Sequence, residues 1–419
     1  MTTGLPVAFC FIVINIIGTV IFFGFDGIEN LILSIYSNLN TFILLPIPLF
    51  ILMGEVMFHS GIGPVLIRVL EKWFGRLPGR LSLLAVASGT LFSTLTGTSL
   101  ASVAILGAVL MPEMKERDYK IPMSAGPILG SSGLAMMIPP SALAVLAGAI
   151  AEISIAKTLV AIIIPGFMLA VIYALYIVVR CWLQPSLAPI YDTDPVPFSE
   201  KVRDTVKYVI PQGIIVFLVV GVIFLGVATP SEAAATGAMG TILLAVCYGR
   251  LNWEVIKKTS IGTITITGML FLILCGSAAF SQIMAYSGAS GGLTKVATGL
   301  PVAPIYVVIA MQLVILFLGG FMDVVSIMMI TLPIFIPAIE ALGLSSVWFL
   351  VLFLLNIEMA GTSPPFGLSL FVMKGVVRED VKMLDIYKAA LPFLGLDAIV
   401  MIMIMVFPSL ALWLPHILR

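Results

Sequence analysis

Charged residues are scarce in this sequence. Its 21 Lys and Arg and 21 Asp and Glu make up 10% of 419 residues, where a soluble domain carries roughly 25%. Formal net charge is zero, so nothing in the balance points to nucleic acid as a partner. The only histidines are His59 and His416, and the four cysteines (Cys10, Cys181, Cys247, Cys275) lie apart in or beside apolar runs without CxxC spacing. That pattern argues against a zinc, haem or disulfide site. There is no HExxH motif, no intramembrane histidine and no evident nucleophile and base pair, so an enzyme is not expected; nor is there a Walker A motif, so ATP could drive this chain only through another polypeptide. Met1 to Gly24 lacks the basic region and small-residue cleavage site of a secretory signal and reads as a retained first span.

Apolar sequence is what the chain has in quantity, at 60%. A spanning helix needs about 20 apolar residues. By that measure spans fall near 4–23, 38–58, 156–180, 207–228, 231–249, 260–286 and 389–415, and the expected fold is an all-α polytopic membrane protein. Four stretches do not fit. Two of them, 81–112 and 301–338, are too long for one span and carry Gly, Thr, Ser or Asp in the middle, which suggests re-entrant hairpins of two half-helices. The other two, 123–150 and 346–373, hold Pro139-Pro140 and Pro364-Pro365 halfway, and two missing backbone donors forbid a continuous helix. Non-helical backbone at membrane depth survives only where protein buries it or a wet cavity receives it. The breaks therefore mark a site.

The positive-inside rule tests this reading. With residues 59–80 in the cytoplasm and each hairpin returning to its own side, only Lys157, Lys295 and Arg419 of the 21 basic residues fall outside. Counting either hairpin as a single crossing would invert everything downstream and spoil that asymmetry. The N-terminus is then cytoplasmic and the C-terminus periplasmic.

The chain also repeats itself. At an offset of 225 residues Met111-Pro112 falls on Ile336-Pro337 and Pro139-Pro140 on Pro364-Pro365; at 227, Glu55-Val-Met-Phe-His-Ser-Gly61 falls on Gln282-Ile-Met-Ala-Tyr-Ser-Gly288. An odd number of crossings separates the halves, so they are expected to be inverted, with the two hairpin tips meeting near the midplane. Discontinuous helices in inverted repeats are the usual construction of secondary transporters. The expected organisation is scaffold spans over 1–60, a first repeat core over 61–150, scaffold spans over 151–259, a second repeat core over 260–375 and a C-terminal span over 376–419.

Polar residues cluster where the helices break. The first tip reads Ser93-Thr-Leu-Thr-Gly-Thr-Ser-Leu-Ala-Ser102, facing Gly130-Ser-Ser-Gly133 and Ile138-Pro-Pro-Ser141; the second offers Gly319-Gly-Phe-Met-Asp323 with Ser326 and Thr331, opposite Asn356, Glu358 and Gly361-Thr-Ser-Pro-Pro365. Hydroxyls and turn carbonyls are hard oxygen ligands suited to a small alkali cation, although Ser, Thr and Gly also serve close helix packing. Sodium ligands are expected from Gly97, Thr98, Ser99, Ser131, Ser132, Ile138 and Ser141 in one half and Gly319, Gly320, Asp323, Ser326, Gly361, Thr362 and Ser363 in the other. Repeat symmetry suggests two sodium ions or more and no organic cofactor. Substrate contacts are expected from Thr96, Ser102, Pro139, Pro140, Asn356, Glu358, Pro364 and Pro365. Asp323 and Glu358 lie deep in apolar sequence with no Lys or Arg at equal depth, a placement that marks an ion pathway or a pairing partner; Asp323 either ligates a cation or is protonated. Glu55, Glu232 and Asp397 also lie near membrane depth, and Glu232 follows Thr229-Pro-Ser231 in a helix-start pattern. Half-helix N-termini at the breaks suit a carboxylate substrate without a buried arginine.

These residues resemble the large membrane subunit, the M or DctM-type subunit, of tripartite ATP-independent periplasmic (TRAP) transporters. The likeness lies in Pro48-Leu-Phe-Ile-Leu-Met-Gly-Glu55, Gly97-Thr-Ser-Leu-Ala101, Ile138-Pro-Pro-Ser141, Thr229-Pro-Ser-Glu-Ala-Ala234, Phe321-Met-Asp323 with Leu332-Pro333, and Gly361-Thr-Ser-Pro-Pro-Phe-Gly367, and runs over nearly the whole chain. The resemblance implies a sodium-coupled importer of a small organic anion such as a C4-dicarboxylate or sialic acid, in the cytoplasmic (inner) membrane of a bacterium or archaeon. It implies two partners, a periplasmic substrate-binding protein and a small four-helix membrane subunit of the Q type on a separate chain. It also implies an elevator movement of the hairpin-bearing domain against a fixed scaffold. Two rival readings are a binding-protein-independent divalent anion:sodium symporter with the same hairpins, and, from another class, a channel or intramembrane enzyme.

Overall fold

A computed structural model describes residues 7–96, 99–191, 196–377 and 380–417. Among them every regular element is a helix. In chain order they are α1 (Val7–Phe23), α2 (Gly27–Leu39), α3 (Pro46–His59), α4 (Ile62–Glu71), α5 (Arg80–Thr96), α6 (Ser99–Glu116), α7 (Ile121–Met137), α8 (Ala142–Ile150), α9 (Ile155–Ala161), α10 (Ile163–Leu183) and α11 (Phe198–Asp204). There follow α12 (Ile210–Phe224), α13 (Pro230–Cys247), α14 (Trp253–Tyr286), α15 (Ala289–Gly299), α16 (Pro304–Gly319), α17 (Val324–Ala341), α18 (Ser346–Thr362), α19 (Leu368–Val376), α20 (Met383–Val406) and α21 (Ser409–Ile417). Seven stretches of the described residues are long and apolar enough to cross a membrane, or eight if α7 and α8, bent by 48°, count as one. The chain is a multi-pass membrane protein.

Six of the expected spans are present with shifted ends; among the described residues α1, expected as the first span, falls short of spanning length, and the seventh long apolar stretch is instead α17, an arm of the expected second hairpin. Residues 389–415 divide into α20 and α21 because Pro408 interrupts them, and 207–228 opens earlier, through α11 and a π-turn at Thr205–Val209. Three short helices, α2, α4 and α15, occupy stretches that carried no helix in the sequence reading. The hairpin arms are also longer than half-helices. α5, α6, α16 and α17 have 17, 18, 16 and 18 residues, roughly 24–27 Å each at 1.5 Å per residue, so each arm nearly equals the hydrocarbon thickness of about 30 Å. Within each pair the arms pack on each other, α5 on α6 and α16 on α17.

At the centre lie α7 and α18, buried on every side from Met123 to Met137 and from Trp348 to Ala360, as helices apolar all round must be. They pack on each other, and the hairpins close around them in matched pairs: α5 on α7 and α16 on α18, then α6 on α19 and α17 on α8. α10 and α20 complete this group by packing on α7 and on each other. In a second group α1, α2 and α3 gather on the long α14, α13 packs on α3, and α12 packs on α13.

Small residues make these approaches possible, since lipid tails supply no hydrophobic drive between helices and close packing must. Gly126 and Gly130 form a GxxxG ridge on α7 where Phe393 of α20 docks; a Cβ at Gly130 would lie 2.4 Å from the ring. Gly61 and Gly288, which correspond in the repeat, have φ of 66° and 74° and open α4 and α15. Only glycine takes that left-handed turn without strain.

Candidate functional site

The two Pro-Pro breaks are built alike. α7 stops at Met137, Ile138 is extended, and α8 restarts after Ser141, whose Oγ accepts from the Ala144 amide at 3.3 Å. α18 stops at Thr362, Ser363 is extended, and α19 restarts after Gly367 with no side-chain cap. Both Pro139-Pro140 and Pro364-Pro365 are cis. The second break is the tighter loop: the Gly367 amide donates to Ser363 O at 3.0 Å, Tyr387 Oη donates to Pro365 O at 2.7 Å, and a Cβ on Gly367 would meet Gly361 O at 2.7 Å. Uncapped, the α19 N-terminus keeps amide donors and partial positive charge for an anion.

The tip of the second hairpin rests on this break. A Cβ at Gly319 would lie 2.2 Å from Ala360 Cβ, and one at Gly320 3.4 Å from Pro365 Cδ. Asp323 is the N-cap of α17: Oδ2 accepts from the Ser326 amide at 3.0 Å and Oδ1 from the Ser326 hydroxyl. A carboxylate has about four acceptor positions, so this cap leaves lone pairs for a cation while fixing where they point. The structure thus brings Gly319 and Gly320 onto the break that holds Gly361, Thr362, Ser363, Pro364 and Pro365, and Asp323 and Ser326 follow at the start of α17.

Other expected site residues fall elsewhere. Asn356 donates to Gln312 O and Oε1 at 2.7 and 2.8 Å, tying α18 to α16, and Glu358 faces Gly133 of α7; both are buried. Six and more residues before Pro364, they sit at least about 9 Å down the helix from the break. Ser131 and Ser132 hydroxyls donate to the carbonyls of Ile128 and Leu129 on their own helix, and Ser131 packs on Gly89 of α5. Ser99 and Ser102 begin α6, the latter buried. Gly97 and Thr98 lie outside the described residues, as does the side chain of Thr96.

The remaining acids resolve differently from one another. Glu232 closes a capping box with Thr229, the helix-start role its sequence suggested. Glu55 pairs with His59 at 3.2 Å beside Gly262 of α14. Asp397 is buried at the centre, bonded by Tyr173 of α10. Its depth was legible; a tyrosine partner 224 residues away was not.

A cavity of about 1260 Å³ opens between the helix groups, lined by Thr41–Pro46, residues 148–150 and 152–156 about the α8–α9 turn, Thr229–Glu232, Ser277, Gln282 and Pro333. None of the expected site residues lines it.

Residues 1–410 match the family model described as the DctM component of the tripartite ATP-independent periplasmic transporter. The chain belongs to that family. Among relatives of this DctM-family chain, the C4-dicarboxylate TRAP transporter large permease protein DctM of Pseudomonas aeruginosa is 27% identical over 95% of this chain and 92% of its own. The ectoine TRAP transporter large permease protein TeaC of Halomonas elongata is 28% identical over 98% and 95%. The DctM-family fold is shared with solved transporters at low identity: Neisseria gonorrhoeae MtrF, described as illuminating a class of antimetabolite efflux pumps, aligns with a TM-score of 0.66 at 15% identity over 98% of this chain and 95% of that one.

Proposed function

We propose that this DctM-family chain is the permease of a sodium-driven importer for a small solute carrying a carboxylate, fed by a periplasmic binding protein and flanked by a small membrane subunit. The observation that carries the reading is the seating of Gly319 and Gly320 of the hairpin tip on the Pro364-Pro365 break, with the Asp323 carboxylate following three residues after Gly320 and the uncapped α19 N-terminus two residues after Pro365. A cation on Asp323 and the carbonyls around it would place positive charge beside a bound carboxylate, so each would raise the affinity of the other. Relatives named for C4-dicarboxylate and ectoine agree with a carboxylate and leave the rest of the solute open.

The matched packing of α5 on α7 with α16 on α18, and of α6 on α19 with α17 on α8, is what two repeats related by a two-fold axis would produce. It supports inverted orientation, a second sodium site at the first hairpin, and motion of the hairpin group against the α3 and α14 group as an elevator. The membrane is then the cytoplasmic one, with the N-terminus inside.

The test is uptake of labelled acidic solutes into proteoliposomes holding this chain and its small subunit, with and without binding protein and an inward sodium gradient. Uptake requiring both supports the reading. Sodium-driven uptake without binding protein would make the chain a stand-alone symporter, and uptake indifferent to sodium would overturn the coupling.

A further inference from the structure

Two acids meet at the middle of the bundle with no base beside them. Glu358 on α18 and Asp397 on α20 are each 3% exposed, and Tyr173 on α10 is fully buried. The Tyr173 hydroxyl donates to Asp397 Oδ1 and is within bonding reach of Glu358. Glu358 Oε2 is buried and has no hydrogen-bond partner among the described residues. No third Asp, Glu, His or Cys among those residues joins the group to make a metal cage.

The surrounding elements bring no compensating charge. α7 carries no ionisable residue and offers Gly133, with the hydroxyls of Ser131 and Ser132 held on their own helix. On α10 the other groups are Tyr176, Arg180 and Cys181, and Arg180 is seven residues on from Tyr173, about 10 Å along the axis. On α20 the nearest base, Lys388, precedes Asp397 by nine residues, about 13 Å. On the α16 side stand the neutral Gln312 and Asn356. Phe393 stacks its edge on Tyr173 at 5.3 Å, which keeps the site dry.

Two neighbouring carboxyls in such a place cannot both be ionised. Tyrosine has one proton to give and lone pairs to accept with. Its proton goes to Asp397, so Glu358 is accommodated if it carries a proton of its own and donates it to the tyrosine oxygen. We propose that Glu358, Tyr173 and Asp397 form a proton-binding site in which the two carboxyls hold a single proton, exchangeable through the hydroxyl between them. When the proton leaves Glu358 for Tyr173 Oη, the tyrosine proton passes to Asp397, and the group keeps one negative charge throughout. Glu358 lies six residues before Pro364, and Gly133, which it touches, six before Pro139. The proton site therefore sits about 9 Å from each break and between the two helices that carry them.

Infrared spectroscopy of the purified chain in lipid nanodiscs tests this near neutral pH, with isotope-labelled glutamate or aspartate to assign carbonyl bands. The expected result is an acid carbonyl band with the intensity of one carboxyl. It should shift on deuteration, change in Y173F, and vanish in the double variant E358Q/D397N. Absence of any such band in the unaltered protein overturns the proposal, as do two full bands, one from each residue type, or a band unchanged in the double variant. Should that variant fail to fold, the labels on the unaltered protein decide alone.

Discussion

Gly133 and Glu358 occupy corresponding positions of the two halves, 225 residues apart, and face each other where α7 and α18 cross: a Cβ on Gly133 would fall 2.3 Å from Glu358 Cγ and Oε1. One half gave up its side chain at the crossing and the other placed an acid there. The two are a complementary pair.

Gly133→Ala should therefore destabilise the protein by roughly 1–3 kcal/mol, the cost of overfilling a packed interior. Thermal unfolding in detergent of G133A, E358A and the double variant measures it. The double variant should be less destabilised than the sum of the single ones, by about 0.5–3 kcal/mol; strict additivity would separate the two residues.

Gly166→Ala should be at least as damaging. Its Cβ would meet Met137 O at 2.2 Å, a backbone atom at the mouth of the first break that has no rotamer to escape into. Gly213→Ala is the contrast, because nothing lies within 4 Å of a Cβ there and an alanine inside α12 should gain about 0.5–1 kcal/mol. Equal melting temperatures for the two variants would contradict this.

Asp323→Ala should abolish sodium-dependent uptake with the protein still inserted, and should also lose about 1 kcal/mol of helix cap. Asp323→Asn separates the two effects: the amide oxygen can still cap α17, so stability should be kept while sodium coupling is lost. Uptake by D323N with unchanged sodium dependence would remove Asp323 from the ion site.

Lys72 ties α4 to α11, donating to Glu200 and Asp204 at 2.6 Å each. The hydrogen bond to Asp204 comes first among the causes that raise its pKa. A raised lysine pKa contributes stability that is complete at neutral pH and lost only as pH climbs through that raised value, beyond the ordinary one of about 10.4. Lys72→Ala should cost up to about 1 kcal/mol at pH 7 and nothing further in strong alkali, which pH-dependent melting of both proteins would show.

Much of this architecture was legible because lipid leaves few options. Uninterrupted apolar runs gave the spans, and Pro139-Pro140 and Pro364-Pro365 gave the breaks, since a missing backbone donor is visible in one dimension. What stayed hidden depended on orientation about a helix axis. Asn356 and Glu358 stand two residues apart and so project to different faces, one toward α16 and one toward α7, and neither toward the break. The α2 helix was missed because Glu29, Asn30 and Ser37, all exposed, break its apolar run along the chain, while what holds the helix is its packing on α14.

Beyond α10 the chain doubles back on the first hairpin. The Lys120 amide donates to Leu187 O at 2.9 Å, and the Tyr191 ring lies 4.0 Å from the Arg117 guanidinium and 5.4 Å from that of Arg80. Tyr191 is thus a mooring point, and the next helix begins only at Phe198. Seven residues separate Tyr191 from Phe198, a path of about 25 Å at most, so chain length alone caps how far the first hairpin and α11 can stand apart.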